Sequence, residues 1–349
     1  MNGDVKALMK TEPQPGYIKL MDVDKPQIGS EEILVKVKAA AICGSDIGIY
    51  DWTASFHWLP LPLIIGHEYA GEIAEVGKTV TEFRVGERVT GLAALGCEKC
   101  LNCRMGRTNI CIDRKILGLH MNGVFAEYVK VPARYVHRLP DRLSYVEAAP
   151  TEAIATSAHA VLERASVSPD STVAILGPGP IGLFALQFLK LLNVKKTIIT
   201  GLTVDQGRLK IAEELGVDII INADQEDPIS RVKEETEGAG ADIVFEASGN
   251  PLALQQAVQM VKRGGEIVLI GHSHKPAQIA SVDLVREAIT MKGSYAYTTE
   301  TFKKVLDLMS RGKVQSKPVI THILPLEEFT QAFEAAKSRE AAKVVFKID

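Results

Sequence analysis

Short segments that alternate β-branched and polar residues, separated by glycine and proline, fill the chain from about residue 16 to 150. This pattern is typical of strands joined by tight turns. Beyond Pro150 each apolar, strand-like segment is followed by an amphipathic helix, as in TVAILG followed by PIGLFALQFLKLLN. Such alternation predicts a parallel, doubly wound sheet with helices on its faces. The expected fold class is therefore α/β, with a mainly-β region preceding a doubly wound region.

The strand–helix alternation stops near residue 290, where two further helical segments and a final strand follow. We expect this tail, 291–349, to fold back onto the first domain, 1–153. The second domain would then comprise 154–290. A chain of 349 residues is longer than most single domains, which agrees with this division.

The composition of the chain argues against some classes of binding partner. The net charge is −3 and 46% of the residues are apolar, so the chain lacks the basic surface expected of a nucleic-acid-binding protein. The uncharged run 171–189 approaches the length of a membrane span, but Gly177-Pro178-Gly179-Pro180 would break such a helix. The N-terminus does not resemble a signal peptide. We expect a cytoplasmic protein that acts on a small molecule, without nucleic acid or membrane as partner.

Four of the five cysteines lie within one short segment. Cys97, Cys100, Cys103 and Cys111 have the spacing C-x2-C-x2-C-x7-C, which allows four thiolates to surround one tetrahedral cation. Zinc fits this spacing better than an iron–sulfur cluster, whose runs are spaced differently; two disulfides or free thiols are the alternatives. A four-cysteine site has no open position, so this zinc would be structural.

A glycine-rich turn, G-x-G-x-x-G, joins a predicted strand to a predicted helix. In that context the glycines let the backbone approach a pyrophosphate, which the N-terminus of the helix then binds. The sequence therefore predicts a dinucleotide site, with an empty Rossmann-like fold as the alternative. Its candidate residues are Gly177, Gly179, Pro180, Ile181 and Gly182.

The choice between NAD and NADP depends on the end of the next strand, where NAD-binding proteins usually carry an acid. Counting back from the helix RLKIAEELG places Thr203 at this position. A hydroxyl at Thr203 and a nearby arginine, Arg208, would tolerate the 2′-phosphate of NADP. Asp205, two residues later, can instead serve a shifted NAD site. Both alternatives remain open at this stage.

The fifth cysteine, Cys43, is followed 24 residues later by His67, and Glu68 adjoins it. A lone buried cysteine or histidine is most often an ordinary core residue. Beside a dinucleotide domain, however, a thiolate, an imidazole and a carboxylate form a candidate catalytic zinc site.

These motifs together resemble the zinc-dependent medium-chain alcohol dehydrogenase family, over nearly the whole chain. The matching segments are CGSD at 43–46, GHE at 66–68, the four-cysteine segment and the glycine fingerprint, in the order of the family. The resemblance implies a GroES-like, mainly-β catalytic domain and a Rossmann cofactor domain. It also implies two zinc ions per chain, one catalytic and one structural, with NAD or NADP as the coenzyme.

The resemblance also implies roles for individual residues. Cys43 and His67 would bind the catalytic zinc, and Glu68 would be a neighbouring carboxylate able to join or leave the zinc ligands. The third ligand would be Glu152, where a glutamate is similar to the polyol and threonine dehydrogenase branches. Alternatively, Glu152 only places a favourable acid at the start of a helix.

Zinc as a Lewis acid lowers the pKa of a bound hydroxyl, and hydride then leaves carbon for the nicotinamide. By the resemblance, Ser45 is the first hydroxyl of the proton path. Relatives often have a histidine where this chain has Gly48, so the second step of the path is open. Asp46 more plausibly orients His67 than acts as a base. His272 and His274 are not expected to be metal ligands.

The sequence thus predicts an oxidoreductase that transfers hydride between a secondary alcohol and NAD(P). We expect a polyol, sugar alcohol or cyclitol as the substrate. The alternatives are L-threonine 3-dehydrogenase, suggested by IYDWTASFHW after CGSD, and a zinc-stabilised structural protein without catalysis. The resemblance favours a homodimer or homotetramer.

Overall fold

The structure is a computed structural model that describes residues 4–273 and 275–349. The strands are β1 Asp4–Lys10, β2 Ile18–Asp24, β3 Glu32–Ala41, β4 Leu63–Ile64, β5 Glu68–Val76, β6 Arg88–Gly91, β7 Ala94–Leu95, β8 Lys115–Ile116, β9 Tyr128–Pro132, β10 Val136–Arg138, β11 Thr172–Leu176, β12 Lys196–Gly201, β13 Ile219–Asn222, β14 Ala241–Glu246, β15 Val261–Leu269, β16 Thr290–Gly293, β17 Ile320–Pro325 and β18 Lys343–Lys347. The α-helices are α1 Gly44–Tyr50, α2 Leu101–Arg104, α3 Tyr145–Ala148, α4 Thr151–His159, α5 Pro180–Leu191, α6 Gln206–Glu214, α7 Pro228–Glu234, α8 Pro251–Met260, α9 Ser281–Arg286, α10 Thr299–Ser310 and α11 Phe329–Ser338.

The chain divides into two compact units. The first contains the residues up to Ala153 together with Thr298–Asp349, and the second is Ile154–Tyr297. The sequence predicted the return to the first domain at residue 291, seven residues earlier. The difference arises because β16, Thr290–Gly293, pairs in parallel with β15 and so completes the sheet of the second unit.

The first unit is built on a seven-stranded sheet of mostly antiparallel strands, in the order β10-β6-β5-β3-β18-β17, with β9 also paired to β3. Its central strand, β3, is almost wholly buried, which explains its run of valine, alanine and isoleucine. The C-terminal strand β18 pairs antiparallel with β3, and Val345 lies opposite Ala41. The tail of the chain is therefore part of the sheet that carries Cys43.

The second unit has one six-stranded parallel sheet in the order β13-β12-β11-β14-β15-β16. This is the strand order of a Rossmann fold, whose ligands bind outside the carboxyl ends of the central strands. All five residues of β11 and seven of the twelve residues of α5 are buried. The uncharged run 171–189 is thus a core strand, a turn and a packed helix. None of the helices among the described residues has the length and hydropathy needed to span a bilayer.

Candidate functional site

Neighbouring strand ends bring Cys43, His67 and Glu68 together. In the pairing of β3 with β5, Ala41 lies opposite Glu68, so Cys43 follows one strand at the level where His67 precedes the other. One donor atom from each of the three residues lies within 4.8 Å of the other two. A single zinc with ligand bonds of about 2.0–2.3 Å nearly spans such a separation. The thiol, imidazole and carboxylate are also donors that zinc accepts.

Several polar atoms around this group have no hydrogen-bond partner among the described residues. They include Ser45 Oγ, Asp46 Oδ1, His67 Nδ1 and Glu68 Oε2, and all four atoms are buried. Buried polar groups are otherwise nearly always paired, because an unpaired one costs about 1–3 kcal/mol. Unpaired atoms in one small volume therefore fit a site that is completed by a metal ion and its ligands.

Asp46 lies beside two of the candidate ligands. Its Oδ2 accepts a hydrogen bond from the backbone N–H of Cys43 at 2.9 Å, at the start of α1. Its Oδ1 lies 3.9 Å from Nδ1 of His67. Burial alone would lower the pKa of His67, but the charges of Asp46 and Cys43 outweigh burial and raise this pKa well above its usual value. Asp46 thus lies where a carboxylate fixes the ring of a metal-bound histidine.

A lysine from the C-terminal strand completes the site, and sequence reasoning missed it. Lys343 is buried and donates hydrogen bonds to Glu68 Oε1 at 2.6 Å and to the backbone oxygen of Ile42 at 2.8 Å. Burial raises the pKa of Glu68 to about 7, although Lys343 acts in the opposite direction. Lys343 and Glu68 are 275 positions apart, so no local pattern could have shown the pair.

Glu152 lies in the first turn of α4, as an acid favoured by the helix dipole would. Its negative charge nevertheless contributes to raising the pKa values of His67 and Glu68. It is not one of the three residues whose donor atoms lie mutually within 4.8 Å. The charge of Glu152 therefore acts on His67 and Glu68, but its carboxylate is not among the three converging donor atoms.

Gly48 lacks a side chain because Phe56 occupies the space beside it. A Cβ atom at residue 48 would lie 2.4 Å from the ring of Phe56, a distance that real Cβ contacts do not show. No histidine at this position could be accommodated without moving that ring. A proton path from Ser45 therefore cannot continue through residue 48.

The four clustered cysteines form a second donor group. All are free thiols, and their sulfur atoms lie within 4.8 Å of one another. Backbone N–H groups point at the sulfurs, as in the bonds from Cys97 N to Cys111 Sγ at 3.2 Å and from Cys100 N to Cys97 Sγ at 3.4 Å. Backbone hydrogen bonds lower the pKa of Cys100 to about 6. Converging sulfurs with donors directed at them fit a structural zinc site.

In the second unit the three fingerprint glycines show three different environments. A Cβ at Gly182 would lie 2.1 Å from the backbone oxygen of Gly177, so the helix can pack this closely only with glycine. Gly177 has a φ of +104°, which side chains rarely adopt. Gly179, the N-cap of α5, has no atom within 4 Å of a Cβ position. Open space at this helix N-terminus is what a pyrophosphate needs. Pro180 and Ile181 begin the helix itself.

The residues proposed for coenzyme choice lie between the end of β12 and the first turn of α6. Asp205 is buried, accepts a hydrogen bond from the backbone N–H of Leu202 at 3.1 Å, and lies 3.7 Å from the guanidinium of Arg208. The charge of Arg208 is thus directed at Asp205. Thr203 is exposed, and its backbone N–H donates to the carboxylate of Asp224 at 2.8 Å. Sequence reasoning did not consider Asp224, which follows a different strand.

His272, after β15, stacks on Tyr295 with 5.9 Å between ring centroids. It is not part of either donor group among the described residues. That His272 is not a metal ligand stays a prediction. His274 lies outside the described residues.

Two family models match the chain. The alcohol dehydrogenase GroES-like domain matches residues 29–141, and the zinc-binding dehydrogenase domain matches residues 180–311. The chain belongs to the zinc-dependent medium-chain dehydrogenases. The family resemblance and the fold class predicted from the sequence are thereby confirmed, as is the assignment to the oxidoreductases.

Curated relatives of this dehydrogenase align over almost their full length. It is 37% identical to an L-threonine 3-dehydrogenase of Bacillus licheniformis, over 99% of both chains. It is 36% identical to a sorbitol dehydrogenase of Halalkalibacterium halodurans, over 98% of both chains. Relatives of such similar identity act on different substrates, so overall identity does not select one.

Solved structures show the same fold with either coenzyme. A zinc-binding dehydrogenase of Sinorhizobium meliloti bound to NADP has a TM-score of 0.90 at 28% identity, over 99% of both chains. An alcohol dehydrogenase of Escherichia coli complexed with NADH has a TM-score of 0.90 at 30% identity, also over 99% of both chains.

Proposed function

We propose that this dehydrogenase oxidises a secondary alcohol of a polyol, sugar alcohol or cyclitol, with NAD(P) as the hydride acceptor. The observation that carries the proposal is the group of Cys43, His67 and Glu68, in which Cys43 is partly buried and the other two are buried. Its surroundings contain buried polar atoms without partners among the described residues. Cys43 and His67 would hold the exchangeable zinc, with Glu68 beside them. Glu152 would be the further carboxylate ligand that the family resemblance implies. When bound, zinc supplies Lewis acidity, which makes a hydroxyl easier to deprotonate at neutral pH.

In this proposal the remaining side chains position the substrate's proton and the metal ligands. Ser45 accepts the proton of the substrate hydroxyl and passes it toward solvent, because its buried Oγ is not engaged by any described group. Asp46 orients His67 and does not exchange protons with the substrate. Lys343 balances the charge of Glu68 inside the protein. Gly177, Gly179, Pro180, Ile181 and Gly182 bind the pyrophosphate of the coenzyme through the backbone at the start of α5.

The metal assignment is tested by counting zinc in two single variants. Cys43→Ala should lose one of two zinc ions and all activity, and should keep its fold, because only the exchangeable site is affected. Cys103→Ser should lose the other ion and make the segment 96–113 sensitive to protease, since this segment has little apolar core. The assignment is wrong if folded Cys43→Ala still binds two zinc ions.

L-Threonine is the second candidate substrate, because curated relatives named L-threonine 3-dehydrogenase align over nearly the whole chain. A screen of polyols, sugar alcohols, cyclitols and L-threonine, followed by absorbance of the reduced nicotinamide, distinguishes the two. We expect higher kcat/KM for a polyol-type substrate. A kcat/KM for L-threonine that exceeds those of all the other substrates by tenfold or more would select the second candidate.

We also propose that the protein is cytoplasmic and that it assembles as a homodimer or a pair of dimers. Five free cysteines are typical of a reducing compartment. β16 is the edge strand of its sheet, and adjacent α9 exposes Val282 and Val285, which are 47% and 78% accessible. An exposed strand edge beside exposed apolar side chains is a surface that proteins usually cover.

A further inference from the structure

The end of β12 carries a negative charge that comes from the neighbouring strand. In Rossmann units an acid about 20 residues after the fingerprint accepts the ribose hydroxyls of NAD. Here that position is Thr203, which has no charge. However, Oδ2 of Asp224 accepts a hydrogen bond from the backbone N–H of Thr203 at 2.8 Å. A carboxylate from the neighbouring strand therefore lies beside Thr203, the position at which the sequence has no acid.

Several hydrogen bonds keep Asp224 at this place. β12 and β13 end side by side, with Gly201 opposite Asn222, and the N–H of Ala223 donates to the oxygen of Gly201 at 2.8 Å. The side chain of Asn222 accepts from the N–H of Asp224 at 3.1 Å and donates to Thr203 Oγ1, also at 3.1 Å. Asp224 is thus tied to the end of β12 and still exposed.

The positive charge of Arg208, which the sequence suggested for binding NADP, does not offset the negative charge of Asp224. The side chain of Arg208 is only 12% exposed and faces Asp205, itself buried, at 3.7 Å. Arg208 is therefore engaged with Asp205, whereas a residue that binds the 2′-phosphate of NADP must present its charge at the surface of the site.

We propose that Asp224 is a specificity residue that selects NAD against NADP, an inference that rests on the proposed dinucleotide site. The carboxylate can accept a hydrogen bond from the 2′-hydroxyl of NAD. The 2′-phosphate of NADP carries between one and two negative charges and is repelled by it. One such repulsion near a protein surface lowers affinity by about ten- to a hundredfold.

The test compares the affinities of NADH and NADPH, measured by the change in their fluorescence on binding. For the wild-type protein we expect the Kd for NADPH to be at least about tenfold that for NADH. Asp224→Asn should reduce this ratio about fivefold or more, mainly through tighter NADPH binding. Asp224→Glu should keep the ratio. Glu226→Gln is the matched control, because it removes an exposed carboxylate two residues away without touching Thr203.

The outcomes separate this inference from the proposed function. If the folded wild-type protein binds neither coenzyme, the proposed dehydrogenase activity fails. If it binds NADH and NADPH equally well, or if Asp224→Asn binds NADH with an unchanged ratio, the role of Asp224 is overturned and the dehydrogenase proposal stands. Because the effect is electrostatic, the wild-type ratio should also shrink as salt is raised; a ratio that is insensitive to salt contradicts the proposal.

Discussion

Ser45 is the second residue of α1, yet its hydroxyl does not cap the helix. Its Oγ is buried without a partner among the described residues, and the backbone of Cys43 begins the helix instead. The alternative that Ser45 only stabilises a turn would require a hydrogen bond to the backbone. The structure shows none for this atom, which leaves the hydroxyl available to a substrate.

Replacing Ser45 by alanine should reduce turnover by about 10²- to 10⁴-fold, the usual contribution of a positioned proton-transfer group. Zinc content and coenzyme affinity should not change, since no candidate ligand is altered. Ser45→Thr keeps the hydroxyl and should keep most of the activity. Single-turnover rates and thermal midpoints on the same preparations give the measurement, and a fully active but destabilised alanine variant would contradict this role.

His137, in β10, should make stability depend on pH. Burial, assisted by the nearby charge of Lys303, lowers the pKa of His137 to about 4, and its Nε2 is buried without a described partner. An unfolded histidine has a pKa near 6.5 and so binds more protons than the folded one between these values. The free energy of unfolding should therefore fall as the pH drops from about 6.5 to 4, by up to about 3 kcal/mol.

His137→Phe tests this dependence, because phenylalanine keeps a ring against Phe302, whose centroid lies 5.4 Å from that of His137. Urea unfolding at several pH values should show a smaller loss of stability in the variant between pH 6.5 and 4. Equal losses in the variant and the wild-type protein would mean that other groups cause the dependence.

At the scale of elements, the β11–α5 turn contains one glycine that packing requires and another that we propose to face the coenzyme. Gly182→Ala forces a Cβ to within 2.1 Å of a backbone oxygen, so the variant should unfold at lower temperature.

In Gly179→Ala the added Cβ meets no atom within 4 Å, so the variant should keep the wild-type thermal midpoint. It should nevertheless bind NADH about tenfold or more weakly, because the new methyl group occupies the space for the pyrophosphate. Equal NADH affinity in Gly179→Ala would contradict the proposed site.

The elements differ in how well the sequence predicts them. Strand–helix alternation after Pro150 predicted the parallel sheet. Each strand and its helix are adjacent in sequence, and their apolar residues recur with different periods. The fingerprint and the four-cysteine segment were visible for the same reason. The roles of Lys343 and Asp224 were not visible in the sequence, because strand pairing alone brings each residue to its partner. Lys343 is placed by the pairing of β18 with β3, and Asp224 by the pairing of β13 with β12. The predicted boundary between residues 290 and 291 falls within β16, since a strand of four residues gives a weak pattern.

At the scale of the whole molecule, the proposed assembly predicts the effect of a charge placed on α9. Val285→Asp places a charge on the exposed face of α9 and should shift the protein toward the monomer in sedimentation equilibrium, if this face and β16 form the interface. Val85→Asp is the control, because Val85 is also exposed, at 63%, but lies in the first unit. An unchanged assembly in Val285→Asp, or an equal shift in both variants, would place the interface elsewhere.

The position of Lys343 on the last strand also has a consequence for biosynthesis. A ribosome adds about 5–20 residues per second, so Lys343 is made roughly 14–55 s after Glu68, from which it is 275 positions distant. During this interval the second unit, Ile154–Tyr297, is completed, while the sheet of the first unit still lacks β17 and β18. The nascent chain therefore presents Cys43 and Glu68 without the cation that later neutralises the carboxylate. The order of translation makes completion of the proposed metal site a late event, after the second unit has already been synthesised.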